Sequence, residues 1–198
     1  MEALYNSQLK PYGDFFLKKY IKDYNSLSKN ELYLIAARNS IGAAVKRNST
    51  YCKNITKESK NRIRTQWQEF LFEYLDEINN DNNLTSWKSV LSKFKKSMND
   101  SFDNNLWFDE FRISHSQKSL SVFKKYDVCI KLHFNEEFIS SPMCPIDRIV
   151  FKKSRFPFPI PSWGKMNNME EYETATNIIS QKLSVDIKDL WKWELINF

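Results

Sequence analysis

Glycine and proline are almost absent from the central part of this sequence. The 198-residue chain has three glycines and six prolines, and none of either lies between Gly42 and Pro142. Because turns between strands depend on these residues, such a stretch favours helices joined by polar loops over a sheet protein. Apolar and charged residues alternate near the helical period in eight segments: 12–24, 29–46, 57–79, 84–98, 115–133, 145–153, 168–181 and 186–196. We therefore expect an all-α fold of seven to eight helices.

Local signals place several helix starts and breaks. Ser28, Thr56 and Asp186 stand where capping residues precede helices, and the asparagine-rich stretch 79–83 predicts a loop. Residues 156–164 cannot be helical, because three alternate prolines remove donors and bias their neighbours to extended geometry. Gly42 lies among small residues in the segment 29–46, where a glycine costs about 1 kcal/mol relative to alanine. Tight helix packing or the wall of a ligand site would explain it.

The size and composition predict one domain spanning residues 1–198. A chain with 41% apolar residues can fill one sizeable core or at most two small lobes. It contains no run of about 18 apolar residues, and its start lacks the layout of a secretory signal, so we expect a cytoplasmic protein without a membrane partner. The three cysteines are odd in number and lack CxxC spacing. They are predicted to be buried thiols rather than disulfides or zinc ligands.

The charge balance favours an anionic partner. The net charge is +6, and 23 of the 30 basic residues are lysine. Such a surface attracts nucleic acid or an anionic membrane by releasing condensed counterions, although solubility alone would also account for it. An aromatic content of 15% adds weight to nucleic acid, since bases are held by stacking on flat side chains.

Common catalytic motifs are missing from the sequence. It contains no GxxxxGK[ST], GxGxxG, GxSxG or HExxH. Only two histidines occur, so a histidine-rich metal site is excluded. Pairs of carboxylates on helix surfaces are usually solvated, and none stands out by spacing.

The segment from Phe111 to Val150 carries two unusual features. The first is a polar cluster at an expected helix start, where free backbone N–H groups and hydroxyls could bind a phosphate; it comprises Ser114, His115, Ser116 and Gln117, followed by Lys118. In helical projection Lys118 falls on the shoulder of an apolar stripe, beside Val122, which predicts a partly buried lysine. Desolvation lowers the proton affinity of a lysine and makes it a usable nucleophile.

The second feature is a single carboxylate in the stretch from Met143 to Val150. Asp147 follows Pro145 and precedes a short expected helix, so it is predicted to be an N-cap. A capping carboxylate stays ionised, and beside a sugar it can stabilise oxocarbenium character or deprotonate an attacking amine. Capping and catalysis are compatible roles for this residue.

These two features together resemble the helix-hairpin-helix DNA glycosylases, over about 40 residues of the chain. Lys118 looks like the family's Schiff-base lysine, and CPIDRIV looks like its motif with the essential aspartate, here Asp147. Their spacing is most similar to the archaeal 8-oxoguanine branch. The resemblance implies a two-lobed helical fold (lobes 1–105 and 106–198) with a hairpin element, a cleft that takes a flipped base, and no cofactor. The hairpin equivalent here, RISHSQ, lacks the usual glycines.

The same resemblance implies base excision from double-stranded DNA by a monomer. The excised base would be 8-oxoguanine or, by analogy with members that act in bacterial phage defence, a hypermodified cytosine such as glucosylated hydroxymethylcytosine. For the base pocket, Trp163 is the first candidate and Asn39 the second, with core packing as the alternative for both. Two further interpretations remain open: a non-catalytic nucleic-acid-binding module using lysines in 18–22, 93–96 and 124–131, and a protein-interaction domain.

Overall fold

Eight α-helices make up most of the described chain. The computed structural model describes residues 2–45, 50–80, 84–140, 144–154 and 164–197. The helices are α1 (Glu2–Tyr20), α2 (Lys29–Ala44), α3 (Lys57–Asn80), α4 (Leu84–Asp100), α5 (Ile113–His133), α6 (Arg148–Lys153), α7 (Met169–Leu183) and α8 (Leu190–Asn197). These ranges contain no β-strand, only one isolated antiparallel bridge between Tyr51 and Trp107. The expected all-α fold is confirmed.

The helix boundaries follow the local signals with two exceptions. Ser28 forms a capping box with Glu31 at the start of α2, as predicted. Asp186 instead caps a short 3-10 turn that leads into α8. The first helix begins at Glu2, ten residues earlier than predicted, and contains Pro11. A proline inside a helix removes one hydrogen bond, and here it does not end the helix.

Two predicted non-helical stretches are only partly covered. Residues 81–83 of the asparagine-rich loop and residues 156–163 of the proline-rich connector lie outside the described residues. Of the helices in the described ranges, none is long and apolar enough to cross a membrane.

Helix α5 is the centre of the molecule. It packs against α1, α2, α3, α4 and α7, and every residue from Ile113 to Ile130 is buried. A helix buried on all sides is ordinarily apolar all round, yet α5 carries Lys118, Lys124, Lys125 and Asp127. Each of these four side chains has an ionic partner, so the core encloses paired charges.

The lysines in 124–131 are therefore not free to contact phosphates, in contrast to one sequence-based interpretation. Lys124 is fully buried, and its Nζ donates to Asp127 Oδ2 at 2.8 Å and to Asn79 Oδ1 at 2.5 Å. Lys131 Nζ lies 3.2 Å from Asp127 Oδ1. Lys124 and Lys125 therefore belong to the interior, and the partly exposed Lys131 is paired with the same carboxylate as Lys124.

The segment expected to form a hairpin is the beginning of α5. Arg112 is the N-cap residue, and the rest of RISHSQ lies in the first turns of the helix. A separate stretch, residues 101–112, connects α4 to α5 and is fixed where Asn99 exchanges two hydrogen bonds of 2.9 Å with the backbone of Phe111. Helices α1 to α4 all pack on α5, so the described residues give no support for a division near residue 105.

Candidate active site

One cavity brings together three of the residues singled out from the sequence. It has a volume of about 420 Å³, which is within the range of small-molecule sites. Helices α1, α2, α5 and α8 and the start of α6 form its walls. Lys118, Asp147 and Asn39 line it together with Phe16, Tyr20, Ala43, Val122, Lys125, Tyr126, Ile149 and Glu194.

Lys118 and Asp147 form a close ion pair in this cavity. Lys118 Nζ lies 2.5 Å from Asp147 Oδ2, and the two side chains are 9% and 17% exposed. The partial burial that helical projection predicts for Lys118 is confirmed. The contact spans 29 residues of sequence, and it places an amine and a carboxylate within proton-transfer distance of each other.

Asp147 is held by its position at the start of α6. Its Oδ1 accepts hydrogen bonds from the backbone N–H groups of Ile149 (2.8 Å) and Val150 (2.9 Å), which confirms the predicted N-cap. Burial raises the pKa of this carboxyl, but the charge and hydrogen bond of Lys118 and the two backbone donors outweigh it, so the pKa lies below its usual value. Asp147 therefore remains an anion while its second oxygen faces the lysine.

Gln117 holds the extended segment that leads into Asp147 in place. Its Nε2 donates to the Ile146 carbonyl at 2.8 Å, and its Oε1 accepts from the Ile146 N–H at 3.0 Å. Both residues are fully buried. Because Gln117 precedes Lys118 and Ile146 precedes Asp147, this double hydrogen bond places the two charged side chains beside each other.

Removing the double hydrogen bond between Gln117 and Ile146 should destabilise the protein. We expect Gln117→Leu to lower the free energy of unfolding by about 2–3 kcal/mol, because it leaves the buried N–H and C=O of Ile146 without partners. Urea denaturation measures the change. The control is Gln181→Leu, the same substitution at an exposed position of α7, for which we expect a change within about 0.5 kcal/mol. Equal effects of the two substitutions would show that the hydrogen bonds between Gln117 and Ile146 do not stabilise the protein.

A second ion pair lines the same cavity. Lys125 Nζ donates to both carboxylate oxygens of Glu194, at 2.6 and 2.8 Å, and also lies 4.5 Å from the centre of the Phe16 ring. Both charged side chains are buried. The cavity thus contains two lysines and two carboxylates, so its formal charges balance before any ligand enters.

Three aromatic rings also line this cavity. The Phe16 ring lies 4.9 Å from Tyr20 and 4.7 Å from Tyr126, centre to centre. Asn39 Nδ2 donates to the Tyr20 carbonyl (3.2 Å) and to the Tyr126 hydroxyl (3.1 Å). Both amide hydrogens are thereby used, and Oδ1 is the remaining polar atom of the Asn39 side chain. Flat rings beside one amide oxygen suit a planar heterocycle.

The four residues expected to bind phosphate occupy a different environment. Ser114, His115, Ser116 and Gln117 are all at most 2% exposed. The backbone N–H of Ser114 donates to the Met166 carbonyl at 3.0 Å, and its hydroxyl donates to Gly164 O at 3.1 Å. His115 Nδ1 accepts from the Arg112 N–H at 3.0 Å. The start of α5 is therefore saturated by the protein itself, and the structure does not support a phosphate site there.

Trp163, the other base-pocket candidate, lies outside the described residues. Of the cysteines, Cys129 and Cys144 are buried, and burial raises the pKa of both thiols well above the usual value. Cys52 is partly exposed, in contrast to the expectation for all three. No cluster of three or more potential metal ligands occurs among the described side chains.

Several cavity residues are missed by the sequence analysis. Tyr126 shares the helical face of Lys118, eight residues on, so its presence could have been inferred from the period alone. Phe16 and Glu194 come from opposite ends of the chain, and no local pattern connects either of them to α5. Only the tertiary packing brings these two side chains to the lysines.

Comparisons with known proteins give no relative for this chain: no protein-family model, curated protein or solved structure matches it. The distinguishing feature of the cavity is a lysine and an aspartate in direct contact beside an aromatic wall.

Proposed function

We propose that the protein is a DNA glycosylase that excises a damaged or modified base. The observation that carries the proposal is the contact between Lys118 Nζ and Asp147 Oδ2 inside a cavity with aromatic walls. An amine nucleophile with an adjacent carboxylate is suited to covalent catalysis at a sugar carbon. The resemblance to helix-hairpin-helix glycosylases rests on the same two residues, and supplies double-stranded DNA as the substrate.

In the proposed reaction Lys118 attacks C1′ of the target nucleotide. The Nζ–C1′ bond forms as the bond between C1′ and the base breaks, and the base leaves with the bonding electrons and takes up a proton. Because Lys118 is paired with the Asp147 anion as an ammonium, it first gives a proton to Asp147, which frees the amine for attack. Asp147 passes this proton to the departing base and, as an anion again, stabilises positive charge on the sugar. Opening of the sugar ring then gives an imine, which water hydrolyses to an abasic site and free Lys118.

The remaining lining residues suit a base that has left the DNA stack. A flipped base is held by stacking and by hydrogen bonds to its polar edge. Phe16, Tyr20 and Tyr126 supply the rings, and Asn39 Oδ1 supplies an acceptor for an exocyclic amino group. 8-Oxoguanine and hypermodified cytosine both carry such a group, so this pocket is compatible with a role in repair or in phage defence.

The proposal is tested by incubating the protein with normal, oxidised and phage-modified duplex DNA and then assaying abasic sites. We expect one modified substrate to yield abasic sites in excess of the normal duplex. DNA retention without product from any substrate would favour a non-catalytic nucleic-acid-binding module instead. Absence of both retention and product would favour a protein-interaction domain.

The aspartate can be tested with a substitution that preserves its structural role. Asparagine is a good N-cap, so Asp147→Asn should keep α6 folded while it removes the charge beside Lys118. We expect the rate of base release to fall about 10²–10⁴-fold, with DNA binding close to that of the wild-type protein. Single-turnover assays measure the rate, and an unchanged rate would exclude a catalytic role for Asp147.

A further inference from the structure

A second cavity lies against a different face of α2 from the candidate active site. It is a groove between α2 and α3 with a volume of about 460 Å³, lined in part by Arg38, Gly42, Asn61, Arg64 and Thr65. All five residues are exposed. The active-site cavity is lined by Asn39 and Ala43 of the same helix, so α2 separates the two spaces.

The groove has the chemistry of an anion site. Two guanidinium groups lie among amide and hydroxyl side chains, and among the described residues no carboxylate lines the groove. Within the described residues neither arginine forms an ion pair; Arg64 Nε donates to the Tyr51 hydroxyl at 3.4 Å. This differs from Lys118, Lys124 and Lys125, whose charges are each matched by a carboxylate.

Gly42 forms an open part of the groove wall. A Cβ atom added to this residue would meet nothing within 4 Å, so close helix packing, one of the two sequence-based explanations, does not account for it. Any residue other than proline would improve the helix propensity at this position, and its side chain would project into the groove. The remaining explanation, the wall of a ligand site, agrees with its position beside the two arginines.

We infer that the groove between α2 and α3 binds the phosphodiester backbone of a nucleic acid strand, through Arg38 and Arg64. Arginine forks match phosphate oxygens in pairs, and neutral amide and hydroxyl groups add hydrogen bonds to phosphate and sugar. An acidic peptide offers carboxylates to the same arginines, but a duplex offers phosphates at a regular spacing along one path.

The placement of the two cavities supports a shared strand. Arg38 and Gly42 of the groove are each followed in α2 by a residue of the active-site cavity, Asn39 and Ala43. A strand with one nucleotide in the active-site cavity can therefore present a nearby phosphate to the groove. The choice of DNA as the ligand rests on the proposed function. Arg38 and Arg64 then contact the DNA backbone in place of the buried residues Ser114 to Gln117.

The test measures binding separately from base release. Fluorescence anisotropy with a labelled 20-base-pair duplex is recorded from 50 to 300 mM NaCl for the wild-type protein and the variant Arg38→Ala/Arg64→Ala. We expect the dissociation constant to rise about tenfold or more at low salt, and the slope of log K against log salt to become shallower by about 2. The charge-matched control is Lys182→Ala/Lys188→Ala, at exposed positions of α7 and the turn before α8, which should leave both quantities nearly unchanged.

A neutral substitution tests the groove itself. We expect Gly42→Gln to keep the net charge and the helix but to fill the groove, so that the dissociation constant rises about fivefold or more. Binding as tight as that of the wild-type protein would place the strand elsewhere and overturn the inference. The inference is also overturned if Arg38→Ala/Arg64→Ala has the same dissociation constant and salt dependence as the lysine control. Arginine-dependent binding of polyglutamate, without binding of DNA, would overturn it as well.

Failure of the proposed function has a different signature. A protein that binds DNA through Arg38 and Arg64 but yields no abasic sites supports the groove and contradicts the glycosylase. A protein that produces abasic sites with the same affinity and rate after both arginines are replaced supports the glycosylase and overturns the groove.

Discussion

Lys118→Gln should abolish the covalent intermediate. When the wild-type protein and its substrate are mixed with borohydride, the imine is reduced to a stable protein–DNA adduct that denaturing electrophoresis resolves. The variant lacks the amine that forms this bond, so we expect no adduct and a base-release rate at least about 10³-fold lower. Glutamine can still donate a hydrogen bond to Asp147, which limits the effect on folding.

The matched control for this experiment is Lys125→Gln. Lys125 occupies the same helix and lines the same cavity, and it is paired with Glu194 at similar distances. Its carboxylate partner is Glu194 of α8 and not the N-cap aspartate of α6, so we do not assign it to the reaction. Adduct formation should therefore persist in this variant. Trapping that survives in Lys118→Gln but disappears in Lys125→Gln would reverse the assignment of the nucleophile.

The helices were largely predictable because their signals are local. Ser28 with Glu31 forms a capping box within four residues, and the absence of proline from residue 12 to residue 141 removes the usual breaks. The extension of α1 through Pro11 was not predictable in this way, since a proline at that point is equally typical of a helix start.

The environment of a helix start is a different problem. The sequence Ser114 to Gln117 has the composition of a phosphate site, but composition does not reveal whether the N–H groups face solvent. The carbonyls of Gly164 and Met166, about 50 residues further on, accept from Ser114. Only the packing of that segment against α5 distinguishes an open anion site from a saturated one.

The charged residues of α5 are the clearest case in which sequence reasoning fails. Charged residues such as Lys124 and Asp127 usually lie on a solvated face, and a pair three residues apart on a helix is normally a surface pair. Burial becomes tolerable because Tyr33 donates to Asp127 Oδ1 at 2.7 Å and Asn79 accepts from Lys124. Tyr33 is 94 residues from Asp127 in the sequence, and Asn79 is 45 residues from Lys124. No local sequence pattern therefore predicts these contacts.

This buried network leads to the largest stability effect that we expect. In Asp127→Asn the side chain keeps its shape but loses its charge, and Lys124, which is fully buried, is left without a counterion. Removing one partner of a buried ion pair costs about 3–5 kcal/mol. Urea denaturation at neutral pH should show a loss of this size in the free energy of unfolding, with little change in the slope.

Two comparisons identify the cause of that loss. Lys93→Met breaks an exposed ion pair with Glu77 and should cost no more than about 1 kcal/mol. In the double variant Lys124→Met/Asp127→Asn the uncompensated charge is gone, so the loss should be smaller than in Asp127→Asn alone. A loss in Asp127→Asn no larger than that in Lys93→Met would show that burial adds nothing to this pair.

The pH dependence of the free energy of unfolding provides an independent check of the charge on Asp127. Burial raises the pKa of Asp127, but Lys124, Tyr33 and Lys131 outweigh it, and the pKa lies below its usual value. A carboxyl whose pKa is lower in the folded state contributes stability above its unfolded pKa, near 3.9, and loses it as the pH falls through the folded value. The difference in unfolding free energy between the wild-type protein and the double variant Lys124→Met/Asp127→Asn, in which no unpaired buried lysine titrates, should therefore be constant from pH 7 to about pH 5 and narrow below about pH 4. A difference that instead widens on acidification would mean that Asp127 is protonated in the folded protein, and that the charge of Lys124 is balanced by another group.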